Sequence, residues 1–227
     1  MDMFLIKQQL NSSVDEKFQK FTAKIVNSRH QILGVTIPNL RAIAKQIVRE
    51  DAVAFLNQNQ MSNYEEMMLQ GFVVGYSKLP AEIKLKYLDD YVSRIADWSE
   101  CDSVVATLKF FGNDQDKIFK YLDKFFCSDK EFEKRFAIVS YLNYFLNDDY
   151  IDLVLDRLLS VKSSYYYVNM AVAWAVSVCF VKYFEKTLSK FTSSELDIFT
   201  FNKTIQKCKE SFRLTKDQKD IINKLKK

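Results

Sequence analysis

One histidine, two prolines and four glycines in 227 residues set the first limits. A single histidine excludes a His-rich metal site, and it leaves His30 as the sole imidazole for any hydrolase triad. No GxxxxGK[ST] or GxGxxG stretch occurs, so phosphate cradling by a glycine-rich loop is excluded. The four cysteines, Cys101, Cys127, Cys179 and Cys208, contain no CxxC pair. They read as free buried thiols rather than as a zinc site or a disulfide framework. An all-β chain would need many turns, and so few breakers do not supply them. Long apolar runs are also missing. The most apolar segment, Met170 to Val181, is about half the ~20 residues a spanning helix requires. The opening Met1–Leu10 contains Asp2 and Lys7, which does not fit a signal peptide. These absences predict a cytoplasmic monomer that works without a membrane, a metal or a cofactor.

What the chain does contain is burial-seeking surface. Apolar residues make up 48% and aromatics 15%, with 19 Phe and 12 Tyr. That composition is incompatible with disorder and sufficient for a sizeable core. Net charge is a mild +4 but uneven. Residues 1–50 hold eight Lys/Arg against four Asp/Glu, and residues 185–227 hold eleven against six, leaving the middle at minus five. Basic ends around an acidic middle can grip a polyanion only if folding brings those ends to the site.

Helical periodicity recurs throughout. Val14–Asn27 places Val14, Phe18, Phe21, Ile25 and Val26 on one face. Pro38 suits a first helical turn, followed by Leu40, Ile43, Ala44, Ile47 and Val48. Asn63 can cap Tyr64–Ser77, in which Gly71 and Gly75 would let a neighbouring helix approach closely. Helices are further expected at Ala81–Ala96, Glu100–Phe111, Asp116–Phe126, Glu131–Phe145, Tyr150–Leu159, from Ser163 or Ser164 to about Phe184, Leu196–Phe212 and Lys216–Lys226. Short links make successive helices antiparallel neighbours. The helix–turn–helix unit returns at roughly the 40-residue period of HEAT-like arrays. The expected fold is therefore all-α, a single HEAT-like helical-repeat solenoid over residues 1–227 with a concave face.

Few residue types are left to carry chemistry. His30 lies in the polar stretch Asn27-Ser28-Arg29-His30-Gln31 and reads as a solvated loop residue. Trp98 stands four residues before Asp102, so both can project from one helix face. Ser99 followed three residues later by Asp102 equally fits a capping box, with Trp98 an ordinary aromatic at a helix entry. Trp174 by itself reads as a core aromatic, and Arg135 as a solvated or salt-bridged helix charge. Tyr165, Tyr166 and Tyr167 cannot all face inward at helical spacing, so one or two are free to line a surface.

Taken in order, Leu33-Gly34-Val35-Thr36-Ile37-Pro38-Asn39-Leu40-Arg41, Trp98-Ser99-Glu100-Cys101-Asp102-Ser103, Lys134-Arg135-Phe136-Ala137-Ile138-Val139 and Met170-Ala171-Val172-Ala173-Trp174-Ala175 resemble the HEAT-like-repeat DNA alkylation repair family, the AlkD-like alkylpurine DNA glycosylases. The tail from Asn202 to Lys207, with Glu210, Ser211 and Arg213, is similar to a sub-branch of that family. The resemblance implies that Trp98, Trp174 and Asp102 surround the deoxyribose of an alkylated nucleotide. It implies that Arg135 supports the DNA backbone; Arg41, in the first matching piece, and Tyr166, from the tyrosine run, are further candidate DNA contacts. Electron-rich ring faces and a carboxylate would stabilise the positive sugar left as an N3- or N7-alkylated purine departs. Asp102 would also orient water. Two other functions share the architecture: a non-catalytic DNA binder using basic residues, and a protein–protein scaffold.

Overall fold

The computed structural model describes residues 2–227, and among them it contains thirteen α-helices, one 3-10 turn and no strand. The fold is all-α and of helical-repeat type. The chain divides into two compact units, Met1–Asp114 and Gln115–Lys227.

The first unit comprises α1 (Met3–Ser12), α2 (Glu16–Val26), α3 (Ile37–Gln58), α4 (Tyr64–Tyr76), α5 (Ala81–Arg94), α6 (Trp98–Val105) and the 3-10 turn Lys109–Gly112. Pro38 does lie in the first turn of α3. That helix is kinked at Asp51, whose backbone is extended and whose carboxylate accepts from Ala54 N–H, restarting the helix. At the centre sits α4, capped by Asn63 through Glu66 N–H and buried from Tyr64 to Val74. The pairing of α4 with α6 depends on its glycines. A Cβ on Gly71 would lie 2.3 Å from Val104, and one on Gly75 would lie 2.3 Å from Thr107. Both distances are far below van der Waals contact, so glycine is what allows this approach.

The second unit comprises α7 (Gln115–Phe126), α8 (Glu131–Tyr144), α9 (Ile151–Leu159), α10 (Tyr166–Lys182), α11 (Phe184–Thr192), α12 (Ile198–Glu210) and α13 (Lys216–Asn223). Here α10 takes the central place, packed on α8 and α12. Rings fill the core. Phe119 meets Tyr141, Phe145 and Tyr150 at 5.1–5.3 Å between centroids, and Phe191 stacks on Phe201 at 4.1 Å.

Several sequence expectations change. Phe21 and Ile25 of α2 are exposed, while Thr22 and Val26 point inward with half-buried Phe18. The expected helix Glu100–Phe111 is two elements, because the chain breaks at Ala106–Leu108 before the 3-10 turn. The helices α1 and α11 add to the expected set. Cys101, Cys179 and Cys208 are buried free thiols as expected, but Cys127 is exposed. Burial pushes the Cys179 and Cys208 thiols up to about 12. No helix is long and apolar enough to cross a membrane.

Candidate nucleic-acid interface

The first unit holds its candidate residues at the start of α6. Asp97 caps this helix, its Oδ1 accepting from Ser99 N–H at 2.8 Å and Glu100 N–H at 3.0 Å. The capping box expected from Ser99 and Asp102 is therefore absent, because the helix begins two residues earlier than that pattern requires. Ser99 lies inside the first turn, with its hydroxyl 2.7 Å from the Tyr64 hydroxyl. Asp102 is half-buried one turn beyond half-buried Trp98 on the same helix face. The Trp98 indole N–H donates to the Ile25 carbonyl at 3.2 Å, fixing the ring against the end of α2. Beside that bond, Phe21 and Ile25 leave apolar surface in water, Phe21 at 58%. Periodicity alone missed both, since it placed them in the core.

Beneath this face lies a buried polar network. Glu100 is wholly inaccessible; its Oε2 accepts from Ala96 N–H at 2.8 Å, and Oε1 is 2.7 Å from His30 Nδ1. A carboxylate can only accept, so the His30 Nδ1–H points at Glu100. His30 is thus half-buried and hydrogen-bonded to a buried acid, and not a solvated loop residue. The hydrogen bond to Glu100 raises its pKa, against burial acting the other way. Burial, reinforced by the nearby Glu100 charge, pushes the Asp97 carboxyl up to about 7. A second buried acid, Glu65 on α4, receives the N–H groups of Leu33, Gly34 and Val35 at 2.8–3.2 Å. The Gly34 φ of +109° suits glycine, and a Cβ there would strike Gln19 and the Asp15 carbonyl. This loop delivers the chain to α3, where Arg41 is half-buried with its guanidinium 5.3 Å above the Phe72 ring.

In the second unit, Trp174 departs from the core role expected of it. Every other residue from Ala171 to Ser177 is buried, yet Trp174 is 37% exposed. It lines an open cleft of about 340 Å³ with Ser177, Val178, Val181 and residues of the α12–α13 turn. Arg135 is also unlike a solvated helix charge. It is 5% exposed, and its Nη1 donates to the Tyr167 carbonyl at 2.7 Å. Tyr167 N–H in turn donates to Glu131 at 2.8 Å. These α8 contacts fix the first turn of α10, where Tyr166 is 55% exposed and packs against Phe199 and Tyr167.

Among the described residues, no group of three His, Cys, Asp or Glu is placed to hold a metal ion. Six candidates thus fall in two sets: Arg41, Trp98 and Asp102 in the first unit, and Arg135, Tyr166 and Trp174 in the second. The family model for DNA alkylation repair enzyme matches residues 6–182, which takes in all six. The chain belongs to this family. No curated protein matches it. A role in DNA alkylation repair follows from family membership, with DNA as the expected partner. The family match ends at the last residue of α10, so α11, α12 and α13 lie beyond it.

Proposed function

We propose that this DNA alkylation repair protein is an AlkD-like glycosylase, hydrolysing the N-glycosidic bond of N3- or N7-alkylated purines in duplex DNA. The observation that carries the reading is the Trp98–Asp102 face of α6. A carboxylate and an indole share one side of a helix whose capping is already performed by Asp97. Exposed Trp174, in an otherwise buried stretch of α10, supports it.

The chemistry follows from the substrate. An alkylated purine carries positive charge, so cleavage of its bond to C1′ sends the electron pair onto the base, which leaves neutral. The charge that develops on the sugar is stabilised by the Trp98 ring face and by the Asp102 carboxylate. Water adds to C1′, and its proton passes to Asp102 and then to solvent. In the second unit, exposed Trp174 offers a further ring face to DNA. Arg135, with Nη1 committed to Tyr167, acts by holding the Tyr166 turn, and Tyr166 and Arg41 meet the DNA.

The test is release of 7-methylguanine and 3-methyladenine from methylated DNA by the wild type and by Asp102→Asn. Release by the wild type that disappears in the variant supports the reading. No release, with salt-sensitive duplex binding intact, leaves a non-catalytic DNA binder. That second reading is favoured by the charge of residues 185–227, where eleven Lys/Arg face six Asp/Glu.

A further inference from the structure

The turn that closes the Trp174 cleft has no role in the reading above and lies beyond the family match. It consists of Ser211 to Leu214, between α12 and α13, and it is fixed at both ends. Ser211 N–H donates to the Cys208 carbonyl at 3.2 Å, and Leu214 is buried. Thr215 and Gln218 form a reciprocal capping box at the start of α13. Between these anchors Phe212 projects fully into solvent, the most exposed large apolar residue described. Arg213 follows it, and its exposed guanidinium has no partner among the described residues. The other charges in the cleft are Lys207 and Glu210, which pair with each other at 3.3 Å, so Arg213 supplies the uncompensated charge.

A turn anchored at both ends that leaves a phenylalanine in water beside a free cation gains nothing for the fold. It matches the requirement for inserting a ring between base steps while holding the adjacent phosphate. We propose that Phe212 is a DNA wedge: it enters the duplex next to the nucleotide met by Trp174, with Arg213 on the flanking phosphate. The positive balance of the surrounding segment complements a polyanion and does not suit an acid-poor protein partner. The inference rests on the DNA-binding reading and deepens it, because unstacking a base step beside Trp174 would open that nucleotide's sugar to a ring face.

The experiment titrates a short fluorescein-labelled duplex containing 2-aminopurine with the full-length protein, Phe212→Ala, Phe212→Trp and Arg213→Gln. Phe212 is fully exposed, so its removal costs no packing and the variants fold. Wild-type binding should raise 2-aminopurine emission through unstacking. Phe212→Ala should abolish that rise and weaken binding by about tenfold, while Phe212→Trp restores both. Arg213→Gln should lower the slope of log Kd against log salt by about one. If the wild type binds with a steep salt slope but Phe212→Ala leaves affinity and emission unchanged, the wedge is wrong and the DNA reading stands. If the wild type binds no duplex even at low salt, both fail. Concentration-dependent self-association in sedimentation that Phe212→Ala removes would overturn the wedge in favour of a contact between two copies.

Discussion

The two units bury comparable amounts of apolar side chain but solve their polar problems in opposite ways. In Met1–Asp114, Glu65, Glu66, Lys84, Asp97 and Glu100 are buried, and the acids among them hold loop or helix-start N–H groups. In Gln115–Lys227, Arg135 is the sole buried charge among the described residues, and rings dominate the core. The difference follows from how each unit presents its tryptophan. Trp98 stands at the mouth of a helix, where the incoming loops have no regular backbone partners and buried carboxylates supply them. Trp174 stands in the middle of α10, where the helix satisfies its own backbone and neighbouring side chains need only fill space. Buried charge fixes loops in place, and it makes the first unit the more sensitive to chemical substitution.

The contrast is sharpest for the chemistry. Asp102→Asn should lower base release by about 10²–10⁴-fold with duplex affinity nearly unchanged, measured by single-turnover release and by anisotropy. Equal loss of affinity would remove the distinction between a reacting face on α6 and a binding face on α10. Stability comes next. Glu100→Ala takes the acceptor from half-buried His30 and from the buried Ala96 N–H, which should cost about 3 kcal/mol in urea unfolding. Arg135→Met keeps the aliphatic volume and leaves the Tyr167 carbonyl without its donor, an expected cost of about 1–3 kcal/mol. If the two losses come out reversed, buried charge is not what separates the units. Gly71→Ala presses a methyl into Val104 and should cost about 1–3 kcal/mol, with Val104→Ala as the partner that relieves it.

Much of this was legible from residues alone, for reasons that differ by region. Pro38, Asn63 and the Gly71–Gly75 pair announced their roles, because each acts through its own backbone or lack of side chain. Spacing also brought Trp98 and Asp102 to one face. What it could not show was which side chain caps α6: Asp97 and Ser99 both offer suitable oxygens, and two residues of register decide between them. The outward turn of Phe21 and Ile25 was hidden for a related reason. Thr22 and Val26 form an equally regular stripe one position along, and the packing that selects it lies in distant sequence. His30 and Glu100, seventy residues apart, carry no local signal of their pairing.

The last test is the most diagnostic, since it concerns pH. Asp97 has its folded pKa raised to about 7 by burial and by Glu100, well above its ordinary 3.8. Between those values the folded state keeps a proton that the unfolded state has lost, so stability falls as pH rises. His30 is raised above 6.5 by Glu100, and its contribution is full below 6.5 and lost as pH climbs through the higher folded value. Both act in the same direction, and both belong to the first unit. The second unit has its lowered carboxyls, Asp152 and Glu210, near the surface beside lysines, so what they add is lost only below the ordinary carboxylate range. From about pH 5 to pH 8 the melting temperature should therefore decline. The combined variant Asp97→Asn with His30→Gln should flatten that decline, whereas Asp152→Asn should leave it intact. A profile that stays steep in the double variant would place the titrating groups outside the α6 network and end the claim that buried charge distinguishes the first unit.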